Sequence, residues 1–193
     1  MDSPGDPTPA SSRVLTVPNL ISMFRIAMIP VFWVLIVDED TSALGIVLFG
    51  TVVATDWVDG TIARRTGQVS ELGKILDPVA DRTAIAAGLI ALVLRGAFPL
   101  WAAALILVRD AVVLIAGLVL LTRGLRIDVR WIGKVATFAL MLAIPAISWG
   151  TLDLWAAAAA LAVGWPLFVV GILEYYVAAG AYALDMRRAL VAT

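Results

Sequence analysis

Long apolar stretches separated by short polar segments make up most of the chain after residue 12. A transmembrane helix needs about 20 mostly apolar residues, and we interpret six of these stretches as such helices. The third stretch is short, and the sixth is long enough to tilt or to project from the bilayer. The pattern therefore predicts an all-α integral membrane protein with six transmembrane helices, over residues 20–37, 42–63, 79–94, 98–121, 132–149 and 154–184.

The first twelve residues, MDSPGDPTPASS, differ from the rest of the chain. They are rich in Pro and Ser and contain no apolar block, a composition that is typical of disorder and not of a signal peptide. We therefore predict a disordered tail over residues 1–12 and a six-helix membrane domain over residues 13–193.

The charges between the predicted spans are distributed unevenly. Asp38, Glu39 and Asp40 lie between the first two spans, and the segment between the fifth and sixth also lacks Lys and Arg. Arg95 is the exception on this acidic side. Because positive charges favour the cytoplasmic face, we expect both termini in the cytoplasm, on the side that carries Arg13, Arg64, Arg65, Lys74, Arg82, Arg123, Arg126, Arg130, Arg187 and Arg188.

The amino-acid composition narrows the chemistry that the protein can perform. Hydrophobic residues make up 62% of the chain and charged residues 15%, which is unlike a soluble domain. The formal net charge of −1 argues against a nucleic-acid binder. Cysteine and histidine are both absent from the sequence, which excludes disulfides, zinc sites built from these residues and histidine-based triads. Carboxylates, Lys, Arg, Ser, Thr and Tyr remain.

Four aspartates between residues 56 and 81 are spaced so that they share helix faces. At 100° per residue, two of them fall on one stripe with two small residues, and the other two follow a glycine at four-residue spacing. Asp77-Pro78 is also typical of a helix start, with Asp77 near the N-cap and Pro78 at the first helical position. The two stripes are Asp56, Asp59, Gly60 and Ala63, and Gly73, Asp77 and Asp81.

Carboxylates that converge at the edge of a membrane repel one another, so a positive charge has to lie among them. A set of oxygen ligands suits Mg²⁺ or Mn²⁺, which often share their coordination with substrate phosphates. The small residues would let a ligand approach the backbone, and Arg64 offers donors for phosphate. In the alternative interpretation, the aspartates are helix caps or solvated charges, and Gly60 and Gly73 serve helix packing.

The spacing D-x2-D-G-x2-A-R-x8-G-x3-D-x3-D resembles the signature of the CDP-alcohol phosphatidyltransferases, and all eight specified positions match. The resemblance extends to the opening VPNLISMFRIAMIP and to the six-span layout. It implies that Asp56, Asp59 and Asp77 bind two divalent cations, and that Asp81 is the catalytic base and can also contact a metal. The residues implied to bind the CDP-lipid are Asp59, Gly60, Ala63, Arg64 and Gly73.

The resemblance also implies the reaction and its setting. A phosphatidyl group would pass from CDP-diacylglycerol to an alcohol with release of CMP, at the cytoplasmic edge of the cell membrane, in a homodimer. Two metals can bridge a diphosphate and neutralise the charge that builds on a leaving group. A carboxylate beside the attacking hydroxyl can accept its proton.

The acceptor alcohol is predicted from basic residues outside the motif. Lys134 lies in a segment, GKVAT, that resembles the G-K-x-x-T segment of family members whose acceptors carry phosphate. Arg130 and Arg109 are further candidates for binding that phosphate. The pair Arg109-Asp110, where phosphatidylglycerophosphate synthases have R-E, resembles cardiolipin synthases. We therefore favour phosphatidylglycerol as the acceptor, with glycerol 3-phosphate as the alternative. Topology signals for the loop charges and a structural ion pair for Arg109 and Asp110 are the competing interpretations.

A membrane transporter is the main alternative from a different functional class. Intramembrane acids and arginines, including Glu174, could line an ion path. The aspartates gather at one predicted edge of the membrane and not at its midplane, which favours the enzyme.

Overall fold

The computed structural model describes residues 17–66, 73–122 and 131–191. Within these ranges the regular secondary structure is helical, and six helices follow one another: α1 (Val17–Val37), α2 (Ser42–Thr66), α3 (Gly73–Leu94), α4 (Leu100–Thr122), α5 (Trp131–Thr151) and α6 (Ala157–Val191). Each corresponds to one of the six apolar stretches, so the prediction of an all-helical fold is confirmed for the residues that the structure describes.

The start of α3 differs from the prediction. The helix begins at Gly73, six residues before the predicted span at 79, so Asp77 and Pro78 lie inside it. The interpretation of Asp77 as an N-cap is therefore wrong. Proline is favoured in the first turn, but the four-residue spacing of Gly73, Asp77 and Asp81 was the better guide, because it requires one continuous helix through all three.

The helices pack as two groups that meet in an apolar core. The first group is α1 with α2 and α3, and the second is α5 along α6; α2 contacts α5, while α4 contacts α3 and α6. Large side chains from all six helices are fully or almost fully buried in this core, and they exclude water from it. They include Phe32, Ile36, Phe49, Leu89, Leu92, Ile106, Leu140, Ile147 and Phe168.

Two glycines allow the close approach of neighbouring helices. A Cβ atom on Gly88 of α3 would overlap the ring of Phe49 on α2. A Cβ atom on Gly164 of α6 would lie 3.0 Å from the backbone nitrogen of Ile147 on α5. Small residues serve this purpose in tightly packed helix pairs.

Large apolar side chains on the outside of the bundle indicate an apolar surrounding. Val34, Val108 and Leu173 are each more than 60% exposed. Within the described residues, Leu20–Val37 and Ala157–Val177 are long and apolar enough to cross a membrane, and only 22% and 17% of these windows are buried. Low burial distinguishes them from the core helices of a soluble protein.

The two ends of the bundle differ in their connections. We call the end where α2 stops and α3 starts the motif end, and the end that carries residues 38–41, 95–99 and 152–156 the loop end. At the loop end, α3 closes in a Schellman motif, in which Gly96 has φ +72°. The Ala97 and Gly96 amides donate to the Leu92 and Val93 carbonyls at 2.8 and 3.0 Å.

Candidate active site

The motif residues occupy the adjoining ends of two helices. Asp56, Asp59, Gly60, Ala63 and Arg64 belong to the last part of α2, and Gly73, Asp77 and Asp81 to the first part of α3. Six residues separate the two helices, a stretch that reaches at most about 25 Å. Both stripes therefore lie at the motif end.

Asp81 is the motif residue whose side chain the structure describes. Arg25, on α1, forms an ion pair with it through Nη1 and Asp81 Oδ1. The Arg25 side chain is 3% exposed and that of Asp81 is 24% exposed. The pair fixes the carboxylate between α1 and α3, while leaving part of it accessible.

Asp110 connects three helices next to this pair. Its Oδ1 atom accepts hydrogen bonds from Arg82 Nη1 of α3 and from the Tyr175 hydroxyl of α6. Arg109 Nη1, on the same helix as Asp110, lies 3.2 Å from the same oxygen. Arg82 Nη1 also donates to the Tyr175 hydroxyl at 3.1 Å. We call these four residues the Asp110 cluster.

Arg109 is engaged on two sides within this cluster. Its guanidinium carbon lies 3.4 Å from the centroid of the Tyr175 ring, a cation–π contact, and its Nη1 atom pairs with Asp110. Arg109 and Asp110 are each only 7% exposed. The structural ion pair that the sequence left as an alternative is thus present, and binding of an acceptor phosphate by Arg109 stays a prediction.

A small, partly open cavity lies beside the cluster. It has a volume of about 30 Å³ and is bordered by Asp110, Tyr175 and Thr137 on its polar side. Apolar side chains close the remainder: Phe49, Val53, Ile85, Ile106, Leu140, Met141 and Ile144. Val53 precedes Asp56 by three residues and Ile85 follows Asp81 by four, so the cavity lies about one helical turn from the motif.

Several predicted site residues lie outside the residues or side chains that the structure describes. Arg130 lies outside the residues that the structure describes. Lys134 belongs to the first turn of α5, but its side chain lies outside the described ones. The same holds for the side chains of the motif residues other than Asp81: Asp56, Asp59, Gly60, Ala63, Arg64, Gly73 and Asp77.

Three residues at this end were not identified from the sequence as site residues. Arg25 lies in an apolar helix, where a charge is costly and usually paired, and this signal could have found it. Arg82 was interpreted as a topology signal, although it directly follows Asp81. Tyr175 gives no local signal, because its partners are 65 and 93 residues away along the chain.

Comparison with known families identifies one match. Residues 15–170 match the family model described as CDP-alcohol phosphatidyltransferase. The matched range contains α1 to α5, both aspartate stripes and the start of α6. No solved structure matches the chain.

Curated relatives cover most of the chain. A Streptomyces coelicolor protein named cardiolipin synthase (CMP-forming) is 35% identical over 92% of this chain and 86% of its own length. A Mycobacterium tuberculosis protein, provisionally named a cardiolipin synthase, is 38% identical over 94% of this chain and 87% of its own length. A Bacillus subtilis CDP-diacylglycerol–glycerol-3-phosphate 3-phosphatidyltransferase is 34% identical over 69% of this chain and 77% of its own length.

Proposed function

Because the chain belongs to the CDP-alcohol phosphatidyltransferase family, we propose that it moves a phosphatidyl group from CDP-diacylglycerol to phosphatidylglycerol, forming cardiolipin and CMP. The observation that carries the general reaction is the complete eight-position motif, split between the adjoining ends of α2 and α3. The Streptomyces coelicolor relative, which is similar over nearly the whole chain, supports the choice of acceptor through its name.

The motif aspartates are proposed to hold the cofactor. Asp56, Asp59 and Asp77 would bind two divalent cations, Mg²⁺ or Mn²⁺, with Asp81 at the edge of the same site. Such cations would supply neutralisation of the diphosphate and of the charge that develops on the departing CMP. Gly60, Ala63 and Gly73 would leave room for the nucleotide against the backbone, and Arg64 would donate to phosphate.

Asp81 is the proposed base. Its carboxylate accepts the proton of the acceptor hydroxyl, whose oxygen attacks the phosphorus that bears the diacylglycerol. A new oxygen–phosphorus bond forms as the bond from that phosphorus to the CMP oxygen breaks. The ion pair with Arg25 holds the carboxylate in place before the acceptor arrives, so that less ordering remains to be done in the reaction itself.

The acceptor phosphate is proposed to bind Lys134 and Arg130, with Arg109 as a third candidate. Arg109 already contacts Asp110 and Tyr175, so binding of a phosphate would require it to leave at least one partner. Glycerol 3-phosphate is the second candidate acceptor, supported by the name of the Bacillus subtilis relative. A phosphate-bearing acceptor is common to both proposals, which is why a basic group would serve either.

We further propose that all six helices cross the membrane, with both termini and the motif end in the cytoplasm. The exposed apolar side chains on all six helices support this. Tryptophans such as Trp101, Trp149 and Trp155 lie near the loop end, where an aromatic belt is expected. Arg95, the exception to the charge rule, lies 3.7 Å from Glu39. The four motif aspartates lie in the parts of α2 and α3 nearest the motif end, which favours the enzyme over a transporter. The homodimer remains an expectation from the family resemblance.

A competition experiment tests the reaction and the acceptor together. Purified protein with CDP-diacylglycerol and Mg²⁺ is given labelled phosphatidylglycerol and labelled glycerol 3-phosphate at equal concentration, and lipid products and CMP are measured. We expect CMP release with cardiolipin as the main product. Exclusive formation of phosphatidylglycerophosphate would overturn the acceptor and leave the phosphatidyl transfer standing. Absence of CMP with every acceptor would overturn the reaction.

A further inference from the structure

The Asp110 cluster concentrates polar contacts on a single buried oxygen. Asp110 Oδ1 is contacted by two guanidinium groups and one hydroxyl, and the Asp110 side chain is 9% exposed. Taking such groups out of water is expensive, and apolar side chains of similar volume often stabilise a fold equally well. A gain in stability alone therefore explains the cluster poorly. A requirement for a defined position of the helices that it joins explains it better.

The cluster acts on α3 at the residue next to the proposed base. Arg82, which binds Asp110 and Tyr175, directly follows Asp81. Successive residues on a helix point about 100° apart, so α1 holds Asp81 from one side while α4 and α6 hold Arg82 from another. A rotation or a slide of α3 at this turn would break at least one of these contacts.

Apolar packing beside this turn of α3 is incomplete, so polar contacts contribute more to fixing the orientation of the helix. The cavity of about 30 Å³ borders Asp110 and Tyr175 and lies near Ile85, one turn further along α3 from Asp81. This space is not filled by side chains, so apolar packing is incomplete on this side of α3. The hydrogen bonds to Arg82 thus contribute to setting how α3 presents Asp81.

We propose that Asp110 and Tyr175 are positioning residues for the transfer reaction, and that they act on Asp81 through Arg82. This inference rests on the proposed function, because it takes Asp81 as the base. Neither residue is placed in contact with substrate. Tyr175 contributes its hydroxyl to the cluster and its ring to the guanidinium of Arg109.

The test removes the hydroxyl of Tyr175 and leaves its ring. Misplacement of a catalytic group by about 1 Å can cost about 100-fold in rate, and loss of one of several contacts should cost less. We expect Tyr175→Phe to lower kcat for CMP release about tenfold, with the KM for CDP-diacylglycerol unchanged within about twofold. Tyr176→Phe is the matched control, because its hydroxyl donates to the Leu105 carbonyl at 2.9 Å, outside the cluster, and should leave kcat unchanged.

A double-mutant cycle separates positioning from a loss of folded enzyme. In Asp81→Glu the carboxylate is already displaced, so Tyr175→Phe should add less than about a twofold loss to that variant. A merely structural role would cost the same factor in both backgrounds, and that result, or normal turnover in Tyr175→Phe, overturns the proposal.

A second variant keeps the inference testable if Tyr175→Phe cannot be purified in folded form. Arg82→Lys retains the charge and loses the forked donors, and its effect in the two backgrounds is interpreted in the same way. Wild-type protein is measured in parallel. Failure of the wild type to release CMP would contradict the proposed function, whereas an active wild type with equal losses in both backgrounds contradicts the positioning role alone.

Discussion

Arginine–carboxylate pairs occur at both ends of the bundle, and they differ in burial and reach. At the motif end, Arg25 and Asp81 are 3% and 24% exposed, and their pair joins two helices. At the loop end, Arg95 and Glu39 are 23% and 84% exposed, with 3.7 Å between Nη1 and Oε1. An exposed pair contributes little to stability, while a buried one has to be satisfied.

At the loop end, hydrogen bonds over short distances stabilise the connections between helices. Arg95 Nε donates to the Ser42 hydroxyl at 2.9 Å. The single proton of that hydroxyl is within reach of the Asp38 carbonyl at 2.7 Å and of the Ile36 carbonyl at 3.0 Å. These contacts close the turn between α1 and α2 and hold the end of α3 against it. The motif end instead links α1, α3, α4 and α6 through buried charges, which is the costly arrangement expected where chemistry takes place.

Removal of divalent cations should give the largest effect and should act through the motif end alone. We expect excess chelator to abolish CMP release, because the four motif carboxylates would lose the divalent cations that they are proposed to bind. Added Mg²⁺ or Mn²⁺ should restore activity, and chelator given together with excess Mg²⁺ is the control. Full turnover at verified zero metal content would contradict the two-metal mechanism.

Asp81→Asn should lower turnover about 1000-fold, because an amide cannot accept the proton of the acceptor. Binding of the CDP-lipid should change little, whereas Asp59→Asn should weaken both metal and nucleotide binding. Asp38→Asn makes the same chemical change at the loop end and should leave turnover as it was. Steady-state CMP release and CDP-lipid binding check the set, and near-normal turnover in Asp81→Asn would remove the assigned base.

Asp110→Ala tests how much the buried charges contribute to the free energy of unfolding. It leaves the guanidinium groups of Arg82 and Arg109 without their common carboxylate, so we expect the free energy of unfolding to fall by about 2–4 kcal/mol. The partial exposure of Arg82, 34%, places the expected loss below that of a fully buried network. Unfolding of the protein in detergent measures it. A loss as small as that of an exposed pair would erase the contrast between the two ends.

Lys134→Ala should raise the KM for the acceptor about tenfold, through loss of a charge-assisted hydrogen bond to phosphate. The KM for CDP-diacylglycerol should rise less. Arg95→Ala, which removes a basic group from the loop end, is the comparison variant and should alter neither KM. Equal increases for both substrates in Lys134→Ala would show that the lysine does not distinguish the acceptor.

Glu39→Ala should give the smallest effect, a loss of about 0.5 kcal/mol or less in the free energy of unfolding. The Glu39 side chain is 84% exposed, so water and salt screen its attraction to Arg95. Unfolding measured beside Asp110→Ala provides the comparison. A loss that matches Asp110→Ala would mean that the loop end also depends on its charges.

Much of the fold could be predicted from the sequence, because the number and the length of the apolar stretches indicate the number and the length of the helices. All six helices follow the predicted order. The start of α3 was missed because two local signals disagreed: Asp77-Pro78 favoured a cap, while the spacing from Gly73 to Asp81 favoured a continuous helix. Local preference is the weaker guide where tertiary contacts support a longer helix.

The sequence by itself determined the apolar helices, the family and the candidate aspartates, since each depends on residues close together in the chain. Only the tertiary structure decided which charges meet. Arg82 and Asp110 are 28 residues apart, and Tyr175 lies 65 residues beyond Asp110. Such pairs depend on the rotation and the depth at which packed helices face one another, and no local pattern records these quantities. The burial of Arg25 against Asp81 was decided in the same way.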